Sequence, residues 1–230
     1  FESGGFVGNT SRGGSCNVRT VTLTPHCNGT HTESISHIVD QSIAVGELAQ
    51  DLLPATLISV VPEHAAITMD SYAPALEEHD KVISKALLAA ELSAYNSELL
   101  SALIVRTLPN PQVKMRAHYS DNNPPPFFTR DALIYLKEKG VKHLIVDFPS
   151  IDKMHDDGLL TNHHIFWQVT ERTHSLSEAS NTENTVTEMA YISDAVNDGH
   201  YLLSLNIAPF QSDAAPSRPI IYPMELINAV

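Results

Sequence analysis

The 230-residue chain predicts a mixed α/β fold, and three observations carry that reading. Between Leu100 and Val146 an apolar run, a helix-forming run and a second apolar run follow one another, the strand, helix, strand alternation of α/β architecture. Hydrophobic residues make up 43% of the chain and charged ones 18%, which places it in the globular class rather than the disordered one. No internal repeat and no separating linker is visible, so residues 1–230 read as one domain. A domain of this length buries roughly 70–75% of the surface its unfolded form exposes, and needs neither a disulfide nor a metal as a staple. Any metal it holds is expected to serve chemistry.

Taken in order, Phe1 to Thr20 is rich in Gly, Ser and Asn and reads as irregular loop. Val18 to Leu23 alternates polar and apolar positions and is the first expected strand. Ile38 to Leu53 carries apolar residues at helical and mixed spacing, and Leu57 to Val61 is a buried strand closed by Pro62. Lys81 to Leu92, dense in Ala, Leu, Lys and Glu, reads as one helix. Leu100 to Leu108 is a strand stopped by Pro109 and Pro111, and Asn122 to Pro126 is a proline-rich turn. Thr129 caps a helix through Lys139 that ends at Gly140, with Leu144 to Val146 as the strand beyond it. Ser175 to Thr187 is polar and reads as surface loop, Tyr201 to Ile207 as a last strand, and Ala215 to Pro223 as a proline-rich tail.

Charge narrows the partners. Fourteen Lys and Arg against 27 Asp and Glu give a net charge of −13, which repels the phosphate backbone that dominates nucleic-acid affinity. No run approaches 18 consecutive apolar residues, so no membrane span is expected. Two cysteines, Cys16 and Cys27, make no disulfide framework and suggest a reducing compartment, the cytoplasm. The chain begins at Phe1 rather than at a methionine, so its N-terminus is expected to be incomplete.

Twelve histidines stand out against those fourteen basic residues, and they cluster. From His26 to His37, twelve positions hold His26, Cys27, His31, Glu33 and His37, all of metal-ligand type. A straight strand from Cys27 to His37 would span roughly 33 Å, too long for one metal centre. The chain is therefore expected to bend at Gly29 and again near Ser36. Of the neighbours His163 and His164 only one can face a common site, because adjacent side chains diverge by about 100° on a helix or face oppositely on a strand.

Cys27-Asn28-Gly29-Thr30-His31-Thr32-Glu33-Ser34-Ile35-Ser36-His37 resembles the H-x-G-T-H-x-D-x-P-x-H motif of the cyclase family that contains bacterial kynurenine formamidase and isatin hydrolase. Val146-Asp147-Phe148-Pro149-Ser150-Ile151-Asp152 is similar to that family's strand ending in D-x-P-S-x-D. Asn162-His163-His164-Ile165-Phe166-Trp167 and Thr185-Val186-Thr187-Glu188-Met189 resemble its later ligand-bearing segments. Cys27 stands where the family has His, Glu33 where it has Asp, and Ile35 where it has Pro.

The resemblance implies a swivelling β/β/α domain, a mixed sheet with flanking helices, that assembles as a homodimer or larger homo-oligomer. It implies hydrolysis of a small-molecule amide, arylformamide first, by one or two divalent ions, zinc foremost and manganese next. Cys27, His31 and Glu33 would hold one ion, and Glu33, His163 and Glu188 the second. His26 is the alternative to Cys27 should the turn shift by one residue, and His164 the alternative to His163. His37 would carry the proton from water to the leaving nitrogen. Trp167, the single tryptophan, is the candidate wall of an aromatic pocket. Two other functions stay open: hydrolysis of an isatin-like lactam, and a non-catalytic metal-binding or interaction role suggested by Cys27 and Glu33.

Overall fold

The computed structural model describes residues 1–48 and 52–224. The strands in chain order are β1 (Glu2–Ser3), β2 (Phe6–Val7), β3 (His31–Glu33), β4 (Leu53–Val60), β5 (Glu63–His64), β6 (Lys81–Ile83), β7 (Ala102–Thr107), β8 (Phe127–Phe128), β9 (His143–Val146), β10 (Thr185–Glu188), β11 (Gly199–Ser204), β12 (Ala214–Pro216) and β13 (Ile220–Pro223). The helices are α1 (Pro25–Asn28), α2 (Lys85–Leu92), α3 (Arg130–Glu138) and α4 (Thr161–Trp167). Eight strands form one mixed sheet in the order β12, β3, β10, β9, β7, β4, β11, β13. Its centre, β10 to β4, is parallel, and the outer strands on both sides are antiparallel.

The central strands are covered on both faces, and every residue of β7, β9 and β10 is buried. On one face Leu103, Val105, Leu144, Val146 and Val186 pack against Leu88 and Leu92 of α2, Leu133 and Leu136 of α3, and Phe166 and Trp167 of α4. On the other face Leu57, Ile104 and Ile145 meet Leu203, Leu205 and Ile207. Thr129 caps α3 as expected, its hydroxyl oxygen accepting from the Ala132 amide at 3.1 Å. The strand, helix, strand unit read between Leu100 and Val146 is thus β7, α3, β9, with β8 between them.

Several expected elements differ. Val18 to Leu23 forms no strand: Val18 bonds the Gly8 carbonyl and the Phe1 ammonium, and the residues after it lie exposed. The helix expected from Lys81 begins only after Ser84. Lys81–Ile83 is drawn out as β6 by pairing with β5 and β8, and the Ser84 hydroxyl then caps α2 through the Leu87 amide at 3.3 Å. Thr185, expected at the end of a polar loop, opens the buried strand β10. The proline-rich tail contributes β12 and β13, both at sheet edges where proline is tolerated. Residues 49–51 of the stretch expected from Ile38 to Leu53 lie outside the described residues.

Candidate metal centre

Pro25 starts the single turn of α1 and Gly29 ends it at φ +148°, a backbone region open in practice only to glycine. That bend points the chain into β3, whose alternation puts His31 and Glu33 on the helix-covered face while Thr32 faces away to the hydroxyls of Thr187 and Ser217. A 3₁₀ turn at Ile35–His37 then brings His37 back. Both expected bends are present. Beside β3, antiparallel β10 pairs Glu188 with His31, and α4 delivers His163 from the other side.

Glu33 is the hub. Its Oε1 lies 2.8 Å from His163 Nε2, and its Oε2 lies 3.1 Å from His26 Nδ1 and 3.9 Å from His37 Nε2. His31 Nε2 sits 3.5 Å from Glu188 Oε2, and His163 Nε2 sits 3.8 Å from Glu188 Oε1. The donors form two groups that share Glu33: His26 with Glu33 and His37, and His31 with Glu33 and Glu188. Within each group the atoms lie within 4.8 Å of one another.

Four surrounding groups hold the donors in place. His31 Nδ1 donates to the Gly29 carbonyl at 3.0 Å, which leaves Nε2 with its lone pair aimed at Glu188. His163 Nδ1 donates to Asp152 Oδ2 at 2.5 Å. Asp152 is itself fixed by the Tyr72 hydroxyl at 2.6 Å and the Asn162 amide at 2.7 Å. Glu188 Oε1 accepts from the Ile151 amide at 2.9 Å, and Asp213 takes His26 Nε2 at 2.8 Å. Ring nitrogens anchored by carboxylate or carbonyl on their far side are the usual outer shell of a metal-ligating histidine.

The electrostatics fit a cation. Burial alone would raise the Glu33 carboxyl, yet the His163 and His37 charges beside it hold it well below the usual carboxylate range. Burial and the Glu33 charge push Glu188 up to about 8. Burial would lower His26, but Glu33 and Asp213 outweigh it and raise the ring to about 9. Without metal the cluster therefore stores protons where a cation's charge would sit. Two buried atoms, His31 Nε2 and Glu33 Oε2, have no hydrogen-bond partner among the described residues, a costly state unless a further ligand completes it. Carboxylate and imidazole donors suit zinc or manganese, so the residues fit the metal that the sequence reading implies.

Four expected site residues are placed differently. Cys27 is exposed on α1 and joins neither donor group, because the helical turn begun at Pro25 rotates it outward and turns its neighbour His26 toward Glu33 instead. His164 is buried with Nδ1 unpartnered and lies outside both groups; His163, expected to hold the second ion with Glu33 and Glu188, also lies outside both, but it is the member of the pair that faces Glu33, at 2.8 Å. Trp167 is fully buried in the core, donating from Nε1 to the Asn184 carbonyl, with its ring 5.4 Å from that of His163. It backs a donor rather than lining a cavity. The sequence reading also missed Asp152, Asp213 and Tyr72. Asp152 ends a quoted motif and could have been found there, whereas Asp213 and Tyr72 carry no local signal.

Residues 5–153 match the family described as "Putative cyclase". The chain belongs to that family. Over 217 residues it is 27% identical to a kynurenine formamidase of Bacillus cytotoxicus, covering 92% of this chain and 82% of the relative. Its fold is similar to a solved potential metal-dependent hydrolase with cyclase activity at TM-score 0.59 and 15% identity, over 89% of this chain and 82% of the other. It is likewise similar to isatin hydrolase A of Labrenzia aggregata at TM-score 0.59 and 13% identity, over 90% and 77%. This cyclase-family chain thus carries its histidines and glutamates on the family's fold. Among the described residues no helix is long and apolar enough to cross a membrane.

Proposed function

We propose that this cyclase-family chain is a metal-dependent amidohydrolase that cleaves the C–N bond of an arylformamide. The observation that supports it most is the pair of buried, unpartnered atoms, His31 Nε2 and Glu33 Oε2, inside a ring of six ionisable donors. His31, Glu33 and Glu188 would hold one ion and His163 would border it. His26, in place of Cys27, would hold a second ion with the shared Glu33. When bound, a divalent ion supplies Lewis acidity, polarising the scissile carbonyl and making water a nucleophile near neutral pH.

The chain's own groups do the rest. His37 is about a quarter exposed and lies at the rim, 3.7 Å from Asp213, so it can meet both solvent and substrate. It would accept a proton as the water oxygen bonds to the formyl carbon, then return it to the nitrogen as the C–N bond breaks, releasing formate and an arylamine. Asp213 orients its ring. The family resemblance also supports a homo-oligomer, which light scattering on the purified chain would measure.

The test is metal content per chain by plasma mass spectrometry, followed by hydrolysis of formanilide. Zinc or manganese at one or two equivalents, lost in His31→Ala and Glu33→Gln, is the expected result. His37→Ala should keep the ion held by His31, Glu33 and Glu188 and lose roughly 10²–10⁴ in kcat. A chain that takes up no divalent ion after reconstitution, or a loaded chain that hydrolyses neither formanilide nor a lactam, would overturn the proposal.

A further inference from the structure

The sheet's second face carries a cavity that the metal centre does not use. Side chains alternate along the central strands, so Leu103 and Leu144 face the helices while Ile104 and Ile145 face the other way, into a space of about 350 Å³. Those two isoleucines form its floor. Thr30 and Ala190 border it, next to β3 and β10. His31, Glu33 and Glu188 project from the same two strands to the opposite face. The cavity therefore shares a sheet with the donors and no lining side chain with them.

Its walls are fixed by the protein's own bonds. Ala190 to Ser193 and Val196 form one wall, pinned by two buried side chains. The Arg106 guanidinium donates to the Ser193 and Val196 carbonyls at 2.8 and 2.7 Å, and the Asn110 side-chain amide donates to the Ile192 carbonyl at 2.8 Å. Ser217, Arg218, Pro219 and Ile221 form the other wall, where the Ser217 amide donates to the Thr30 carbonyl at 3.2 Å.

The lining chemistry is lopsided. Ile192, Val196 and Ile221 join the two floor isoleucines in a branched aliphatic surface. Arg218 is the one charged side chain in the lining, exposed and without an ion pair or side-chain hydrogen bond among the described residues. A chain with 27 acidic residues against 14 basic ones places none of the acidic ones here. Next to Arg218 in the chain, the Ser217 hydroxyl oxygen accepts from the Thr32 hydroxyl at 2.8 Å, and its own proton has no acceptor among the described residues. An unpaired cation and a spare donor beside an apolar pocket suit a ligand with an anionic head and an apolar tail.

We infer that this cavity is a second ligand site, for a medium-chain aliphatic carboxylate, with the head at Arg218 and Ser217 and the tail against the five branched side chains. An arginine fork matches a carboxylate bidentately, and the serine hydroxyl adds a further donor. The volume lies at the lower end of the range for small-molecule sites, which suits one short chain rather than a phospholipid. A nucleotide would bring several charges to a single arginine and polar edges to walls with nothing to pair them. The site is independent of the amidohydrolase reading, since none of its residues is a metal donor.

Calorimetric titration of the purified chain with sodium octanoate tests this, before and after zinc loading. One octanoate per chain is expected, with hexanoate at least tenfold weaker, since each methylene withdrawn from an apolar wall costs roughly fourfold. Arg218→Ala, at an exposed position safe for folding, should weaken octanoate at least tenfold while keeping the wild-type melting temperature. Ile192→Glu, which sets an acid in the wall, should weaken it with Arg218 intact. Zinc loading should move octanoate affinity less than twofold, and so should His31→Ala, which alters the metal centre alone. Absence of saturable octanoate binding overturns the inference, as does equal affinity for hexanoate and octanoate, or an affinity unmoved by Arg218→Ala. An affinity that zinc abolishes places the carboxylate at the metal centre and also overturns it. None of these readouts uses turnover, so failure of the hydrolase reading leaves the site to stand or fall by octanoate alone.

Discussion

At the scale of single residues, one turn of helix decides between two adjacent side chains. His26 and Cys27 are both competent ligands by type, and only the rotation imposed by Pro25 and Gly29 sends the first inward and the second to solvent. Cys27→Ser should therefore leave metal content unchanged, whereas His26→Ala should remove up to one equivalent, both read by plasma mass spectrometry. Asp152 would act on a bound metal only through His163, and Asp152→Asn should cost ~10–100-fold in metal affinity without removing a donor. Competition with a chelating dye measures that loss, and Tyr72→Phe should show a smaller one, since it removes a single hydrogen bond to Asp152.

The same donors set a pH dependence. In metal-free protein Glu188 keeps its proton to about 8 and His26 to about 9, above their values of about 4.5 and about 6.5 in the unfolded chain. Between roughly pH 6.5 and 9 the native state thus binds more protons than the unfolded one, and its stability falls as pH rises. His163, also raised, acts in the same direction. Buried His143 is lowered to about 4, so its contribution has the opposite sign, with stability rising from about pH 4 to 6.5, and it is spent before this window opens. Melting of the metal-free protein should drop by roughly 4–8 °C across that window, equivalent to about 2 kcal/mol at this length. A flat or rising melting curve would contradict the assignment.

Elements show where local signals hold and where partners override them. The α3 cap was readable because Thr129 does its work within three residues of itself. Its hydroxyl accepts from Ala132 and donates to Asp70 at 2.7 Å, so Thr129→Ala should destabilise by ~1–2 kcal/mol in urea denaturation. Strand β6 was not readable, because Lys81–Ile83 runs directly into the Ala- and Leu-rich α2 and is set apart from it only by pairing with β5 and β8, the latter more than forty residues away. Val18 to Leu23 is the converse case. It has the alternation of a strand, but its backbone pairing stops at Val18 and the rest remains exposed chain.

Across the whole molecule the donors come from α1, β3, the 3₁₀ turn after it, α4 and β10, five segments spread over more than 160 residues. A metal bound there cross-links the N-terminal third of the chain to its C-terminal third and stabilises the native state by mass action. With free zinc at a hundredfold over its Kd the gain is about 2.7 kcal/mol, or roughly 5–11 °C in melting temperature at this length. Glu33→Gln should abolish the shift, since Glu33 belongs to both donor groups. A shift that persists in Glu33→Gln would place the stabilising metal elsewhere.

Local pattern was enough for the α/β class, the capped helix α3, the strands around Leu57, Ala102 and Leu144, the bends at Gly29 and near Ser36, and the density of donors between His26 and His37. These follow from period, capping and spacing, properties of neighbouring residues that no distant contact revokes. Tertiary structure alone decided that His26 faces Glu33, that Trp167 backs His163 from the core, and that Asp152, Tyr72 and Asp213 hold the donors. It also made strands of Lys81–Ile83 and of the proline-rich tail. In each of these the deciding atom lies on another segment, brought near by packing, and a linear pattern carries no record of which remote group a side chain will meet.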